Sequence, residues 1–112
     1  MTDLHSIVSR LSAGTPLELW EIECRYIDNP DACARIQQDC EVRRALLEVS
    51  VDWESSSVCT LEQLVAHELG HAIIGDEFDA LPNTRAVSKI EETLATRIGT
   101  ILIANMECRS CR

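Results

Sequence analysis

Leu64-Val65-Ala66-His67-Glu68-Leu69-Gly70-His71-Ala72-Ile73 is the stretch on which the reading of this chain turns. Residues four apart on an α-helix lie about one turn along the same face, so the imidazoles of His67 and His71 can converge on a single metal ion. Glu68 falls beside them. It is offset from the ligand direction but well placed to take a proton from a water molecule that the metal activates. The flanking residues supply the helix this requires. Thr60-Leu61-Glu62-Gln63 fits a capping box, with the Thr60 hydroxyl meeting the Gln63 backbone and the Gln63 side chain returning to residue 60. Leu61, Leu64, Val65, Leu69, Ala72 and Ile73 recur at helical spacing, and Gly75 suits the left-handed residue that closes a helix.

A catalytic zinc usually keeps three protein ligands and one open position, so the chain must supply one donor more. One known spacing puts a glycine three residues after the second histidine and a ligand three further on; those places hold Ile74 and Glu77, with Gly75 displaced by one. Another puts a glutamate on a second helix twenty residues or more downstream, where Glu91 and Glu92 both stand. The run from Thr84 to Asn105 is periodic, and Val87, Ile90, Leu94, Ile98, Ile101 and Leu102 form one stripe. Glu91 lies within that stripe, and Glu92 about a quarter turn away toward Lys89, Thr93 and Thr96. The expectation is therefore Glu91 as third ligand, because a carboxylate on an apolar face needs a partner such as a divalent cation. Asp76, Glu77 and Asp79 read as a solvated acidic turn.

His67-Glu68-x-x-His71 followed by Glu91 resembles the gluzincin-type zinc metallopeptidases in a minimal form. The compact ImmA/IrrE-type peptidases and the short metallopeptidase-like toxin domains of bacterial secretion systems are similar in size and layout. The resemblance covers roughly residues 46–105. It implies an α+β, zincin-like domain, residues 1–112 as one unit, with an active-site helix, a second ligand-bearing helix and a small antiparallel sheet. It further implies Zn²⁺ held by His67, His71 and Glu91, Glu68 as general base, and hydrolysis of a peptide bond in a protein or in peptidoglycan peptide. A toxin of this kind would also have a cognate inhibitor or immunity protein as partner. Nothing in the chain matches the large second domain of thermolysin-like enzymes. No downstream histidine is present to stabilise an oxyanion, which leaves Tyr26, Arg97 or a backbone N–H for that work.

At 112 residues the chain is expected to form one domain with a small core. Six cysteines, at 24, 33, 40, 59, 108 and 111, suggest two or three disulfides and an oxidising destination, each bridge contributing about 2–4 kcal/mol. Cys33 and Cys40, if helical, lie too far apart to bond each other. Cys108-Arg109-Ser110-Cys111 has the spacing of half a structural zinc site or of a redox pair, with no second such pair and no βαβ context around it. The net charge of −9 argues against nucleic acid and anionic membranes as partners and favours a neutral or cationic substrate. The N-terminal residues lack the pattern of a signal peptide, so a secreted or delivered protein, acting in the periplasm or outside the cell, would travel by a contact-dependent or needle-like apparatus. Two other readings stand beside this one. The first is a cytosolic regulatory protease of the ImmA/IrrE kind, with buried free cysteines; the second is a non-enzymatic, disulfide-stapled binding module.

Along the chain, Leu4, Ile7, Val8 and Leu11 predict a helix over residues 3–13, ended by Gly14-Thr15-Pro16. Trp20, Ile22, Cys24 and Tyr26 alternate with charged residues, as a half-buried strand does. Asn29-Pro30-Asp31 resembles an N-cap and starts a helix to about residue 44. Leu47, Val49, Val51 and Trp53 predict a second strand over 47–54, pairing with 18–26 and able to bind an extended peptide along its edge.

Overall fold

Leu4, Ile7, Val8 and Leu11 stand three and four apart on α1 (Leu4–Ser12), and all four are buried as a single stripe. Asp3 caps this helix by accepting from the His5 N–H at 3.0 Å, and Gly14, at φ 77°, takes the left-handed conformation that ends it. The computed structural model describes residues 3–28, 32–56 and 59–110. After α1 come β1 (Glu21–Ile27), β2 (Ala34–Asp39), β3 (Arg44–Ser50), the single turn α2 (Trp53–Ser56), and the long helices α3 (Leu61–Asp79) and α4 (Arg85–Ser110). The architecture is α+β, as the sequence predicts.

The sheet has the order β1-β3-β2 and is mixed rather than purely antiparallel, with β1 parallel and β2 antiparallel to the central β3. The helix expected up to residue 44 does not form, and its proposed cap at 29–31 lies outside the described residues. The reason is visible at both ends of β2. Ala34, Ile36 and Gln38 alternate with exposed Arg35, Gln37 and Asp39, a period of two that the polar Gln37-Gln38 pair hides in the sequence. Asp39 then accepts from the Glu41 N–H at 3.1 Å, and Arg43 adopts φ 54°, so the chain reverses straight into β3. Residues 51–54 also leave the expected strand: Ser50 accepts from the Asp52 N–H, the Ser55 N–H bonds Asp52, and the chain winds into α2.

Leu47 and Val49 on β3 pack in the core with Ile7, Leu11, Leu17, Val65, Leu69 and Leu102. The opposite face of the sheet is charged, yet Glu48 on it is only 2% exposed. Arg25 and Arg35 close over its carboxylate from either side and hold it below the usual carboxylate range, Arg25 contributing most and burial opposing.

The cysteines take no part in two or three bridges. Cys24, Cys40 and Cys108 are free thiols, and the three cysteines left of the six could make one bridge at most. Cys33 and Cys40 flank β2 at its two ends. Burial, aided by Asp3, pushes the Cys24 thiol up to about 11, and burial with the Asp76 carboxylate raises Cys40, so both stay protonated at neutral pH. Among the described residues no helix is long and apolar enough to cross a membrane.

Helices α3 and α4 cross closely because small residues meet there. A Cβ on Gly70 would stand 2.5 Å from the Ala95 carbonyl oxygen, and one on Gly99 would stand 3.1 Å from the Ala66 carbonyl carbon and the His67 nitrogen. Gly70→Ala is therefore expected to force the helices apart and to cost about 1–3 kcal/mol, read as a lowered midpoint in urea denaturation. An unchanged midpoint would show that the crossing is looser than it looks.

Candidate metal centre

The capping box predicted at the start of α3 is present. The Gln63 N–H donates to Thr60 Oγ1 at 3.1 Å, and the Thr60 N–H donates to Gln63 Oε1 at 2.9 Å. The helix so started carries His67, Glu68 and His71 on the side facing α4 and β2. It runs past Gly75, which does not close it: Gly75 is buried, and a side chain there would collide with the Gln38 amide of β2. The glycine serves close packing between α3 and the sheet edge.

The two imidazoles meet edge to face, with Nε2 to Nε2 at 3.1 Å. The carboxylate that joins them is that of Glu92, with Oε2 3.0 Å from His67 Nε2 and Oε1 3.0 Å from His71 Nε2. His67, His71 and Glu92 form the one group of three potential ligands that converges among the described residues. Glu91, which the apolar stripe favoured, sits one layer back, with Oε2 2.7 Å from His71 Nδ1. The stripe marks the packed face of α4 only in part: Ile98 and Leu102 join the core, but the closest approach to α3 is made by small residues. Ile90 and Ile101 are 55% and 58% exposed, whereas Ala95 and Gly99 are buried against α3. Standing three residues before Ala95 and Gly99 respectively, Glu92 and Thr96 fall at the contact.

Proton placement follows from the second set of contacts. Thr96 gives its one hydroxyl proton to the Glu92 main-chain carbonyl at 3.0 Å, so at 3.2 Å it accepts from His67 Nδ1–H. The Glu91 carboxylate likewise accepts from His71 Nδ1–H. Both Nε2 atoms then present lone pairs toward each other and toward a carboxylate, an arrangement that repels itself unless a proton or a cation lies among the donors. Ligands at about 2.0–2.1 Å from a tetrahedral Zn²⁺ stand about 3.3 Å apart; here the two Nε2 atoms are 3.1 Å apart, and one ligand atom from each of the three residues lies within 4.8 Å of the others. The donor set could therefore hold a divalent metal ion. Thr96 is a site residue that the sequence reading assigned to the solvated side; its four-residue spacing from Glu92, matching that of His67 and His71, is the signal that finds it.

Glu68 lies next to His71 on the wall of a cleft of about 410 Å³, which Ala34, Ile36 and Gln38 of β2 line on one side and Glu91 and Glu92 on the other. Burial pushes the Glu68 carboxyl up to about 7, the nearby His71 charge opposing and the Glu92 charge adding. Such a carboxyl is matched to proton transfer near neutrality. Neither Tyr26 nor Arg97 is among the residues lining this cleft. Asp79 reaches its rim, and Asp76 and Glu77 are exposed. The strand beside the cleft is the edge strand β2, while β3, expected in that place, is central. A second cavity, of about 390 Å³ and lined by Leu64, His67, Gly99 and Ile103 among others, opens on the far side of His67. No protein-family model, curated protein sequence or solved structure matches this chain.

Proposed function

We propose that this chain is a zinc-dependent peptidase in which His67, His71 and Glu92 hold the metal and Glu68 is the general base. The observation that carries this reading is the convergence of two imidazole lone pairs and a carboxylate, with both Nδ1 atoms tied back by Glu91 and Thr96. Zn²⁺ bound there would polarise the scissile carbonyl and acidify water to a pKa of about 7. Glu68 takes the proton of the attacking water and delivers it to the leaving amine, so that one carboxyl serves both halves of the reaction. Glu91 and Thr96 keep the imidazoles in the tautomer whose Nε2 can ligate.

Substrate binding falls to β2. The Ser50 N–H bonds the Cys33 carbonyl at 2.8 Å, and the register continues through Arg35 with Glu48 and Gln37 with Leu46. In such a ladder the alternate residues Ala34, Ile36 and Gln38 turn their backbone groups outward, toward the cleft side, where an extended peptide could add as a strand. A delivered toxin and an intracellular regulatory protease both suit this chemistry. The free thiols of Cys24, Cys40 and Cys108 favour the second, since an exported domain would gain from pairing them.

The test is metal content together with peptide cleavage. Purified protein should carry about one zinc per chain, cleave members of a random peptide library, stop on chelation and recover with added Zn²⁺. A chain that binds no divalent metal, or whose cleavage survives complete chelation, defeats the proposal.

A further inference from the structure

Two rows on the outward face of the sheet alternate in charge, on either side of a row of Glu23, Leu46 and Gln37 that does not. Arg25 on β1, Glu48 on β3 and Arg35 on β2 stand opposite one another in register, reading plus, minus, plus. Four residues along each strand, Glu21, Arg44 and Asp39 make a second row reading minus, plus, minus, with Glu21 and Arg44 paired at 2.9 Å. Each row ends at the free edge of β2.

The first row ends on a cation with capacity to spare. Arg25 engages Glu48 Oε2 through Nε at 2.8 Å and a terminal nitrogen at 2.6 Å, while Arg35 engages Oε1 through Nε at 2.7 Å. Arg35 meets Glu48 through Nε, its side chain is 51% exposed, and it stands on the wall of the cleft that holds Glu68. Glu48 fixes the guanidinium in place, which lowers the entropy lost when its terminal nitrogens take a second carboxylate.

We infer that Arg35 is a specificity-determining residue, selecting substrates that carry an aspartate or glutamate opposite it on the strand added to β2. This rests on the peptidase reading above and names the substrate class for it. Because Arg35 turns its own backbone groups toward β3, an antiparallel strand on the other side meets it as a non-hydrogen-bonded pair, the type in which facing side chains come closest. An acid there continues the alternation across a fourth strand, and a lysine there confronts a fixed guanidinium.

The experiment uses the zinc-loaded full chain and a peptide taken from those it cleaves, into which glutamate, glutamine or lysine is placed at one position at a time. At one position, glutamate should exceed glutamine in kcat/KM by about 3–5-fold and lysine by about 10-fold. In Arg35→Gln, whose Glu48 keeps Arg25, that ratio should collapse to within about twofold, and Arg35→Lys should retain part of it. Circular dichroism and zinc content check that both variants fold, and Arg35→Lys alone decides the matter if Arg35→Gln does not. Cleavage with no charge preference at any position, or a preference unchanged in Arg35→Gln and Arg35→Lys, overturns the inference and leaves the peptidase reading standing. A zinc-loaded chain that cleaves no peptide overturns both. A dimer in sedimentation that covers the β2 edge overturns the inference as well.

Discussion

Glu68→Gln is expected to leave zinc bound and to lower kcat by about 10²–10⁴-fold, the span that a positioned acid or base contributes. Glutamine keeps the shape and size of the residue and fills the same place on α3, so the metal ligands keep their packing. What it lacks is an oxygen that can accept a proton and give it up again. The pH profile gives a second handle. Burial holds the Glu68 carboxyl up at about 7, and a cation at the adjacent ligands favours the charged form, so the acid limb of kcat/KM in the zinc-loaded protein should fall at or below that value. Steady-state kinetics over pH 5–8 on parent and variant check both points. A Glu68→Gln protein that turns over within threefold of the parent removes Glu68 from the mechanism.

The second large effect separates two adjacent carboxylates. Glu92→Gln replaces one of the two oxygens that face the Nε2 atoms and removes the negative charge between them, and Glu91→Gln weakens the acceptor that orients His71 from behind. Loss of an orienting partner costs about 10–100-fold in metal affinity. Loss of a ligand should exceed that, so Glu92→Gln should come off a gel-filtration column without zinc while Glu91→Gln retains it at reduced affinity. Competition against a chromophoric chelator ranks the two. The opposite order would return Glu91 to the ligand position that the apolar stripe gives it.

That stripe shows where sequence reading stops. Helix α3 was legible because several local signals agree: a capping box at Thr60 and Gln63, apolar residues at helical spacing, and two histidines one turn apart. Helix α1 and strand β1 were legible for the same reason. The choice between Glu91 and Glu92 is tertiary. It depends on which side of α4 meets α3, and that is decided by Gly70, Ala95 and Gly99, whose small size permits contact without adding to any hydrophobic stripe. Strand β2 was hidden for a related reason. Its inner face includes Gln38, which a count of apolar residues passes over, and its outer face gains order from Glu48, thirteen residues from Arg35 in sequence. The mixed sheet likewise comes from the β2 and β3 hairpin setting β3 between its two neighbours, a placement that strand patterns alone leave open.

The supply of site groups by only two helices has a thermodynamic corollary. His67, Glu68 and His71 all come from α3, and Glu91, Glu92 and Thr96 all come from α4, so a cation held among them works as a clasp across a single crossing. Its binding energy is then shared with the docking of that helix pair: at a free concentration a thousand times the dissociation constant, the folded state gains about 4 kcal/mol. A domain of this size has little stability to spare, so loss of such an ion would loosen α4 as well as remove the proposed chemistry.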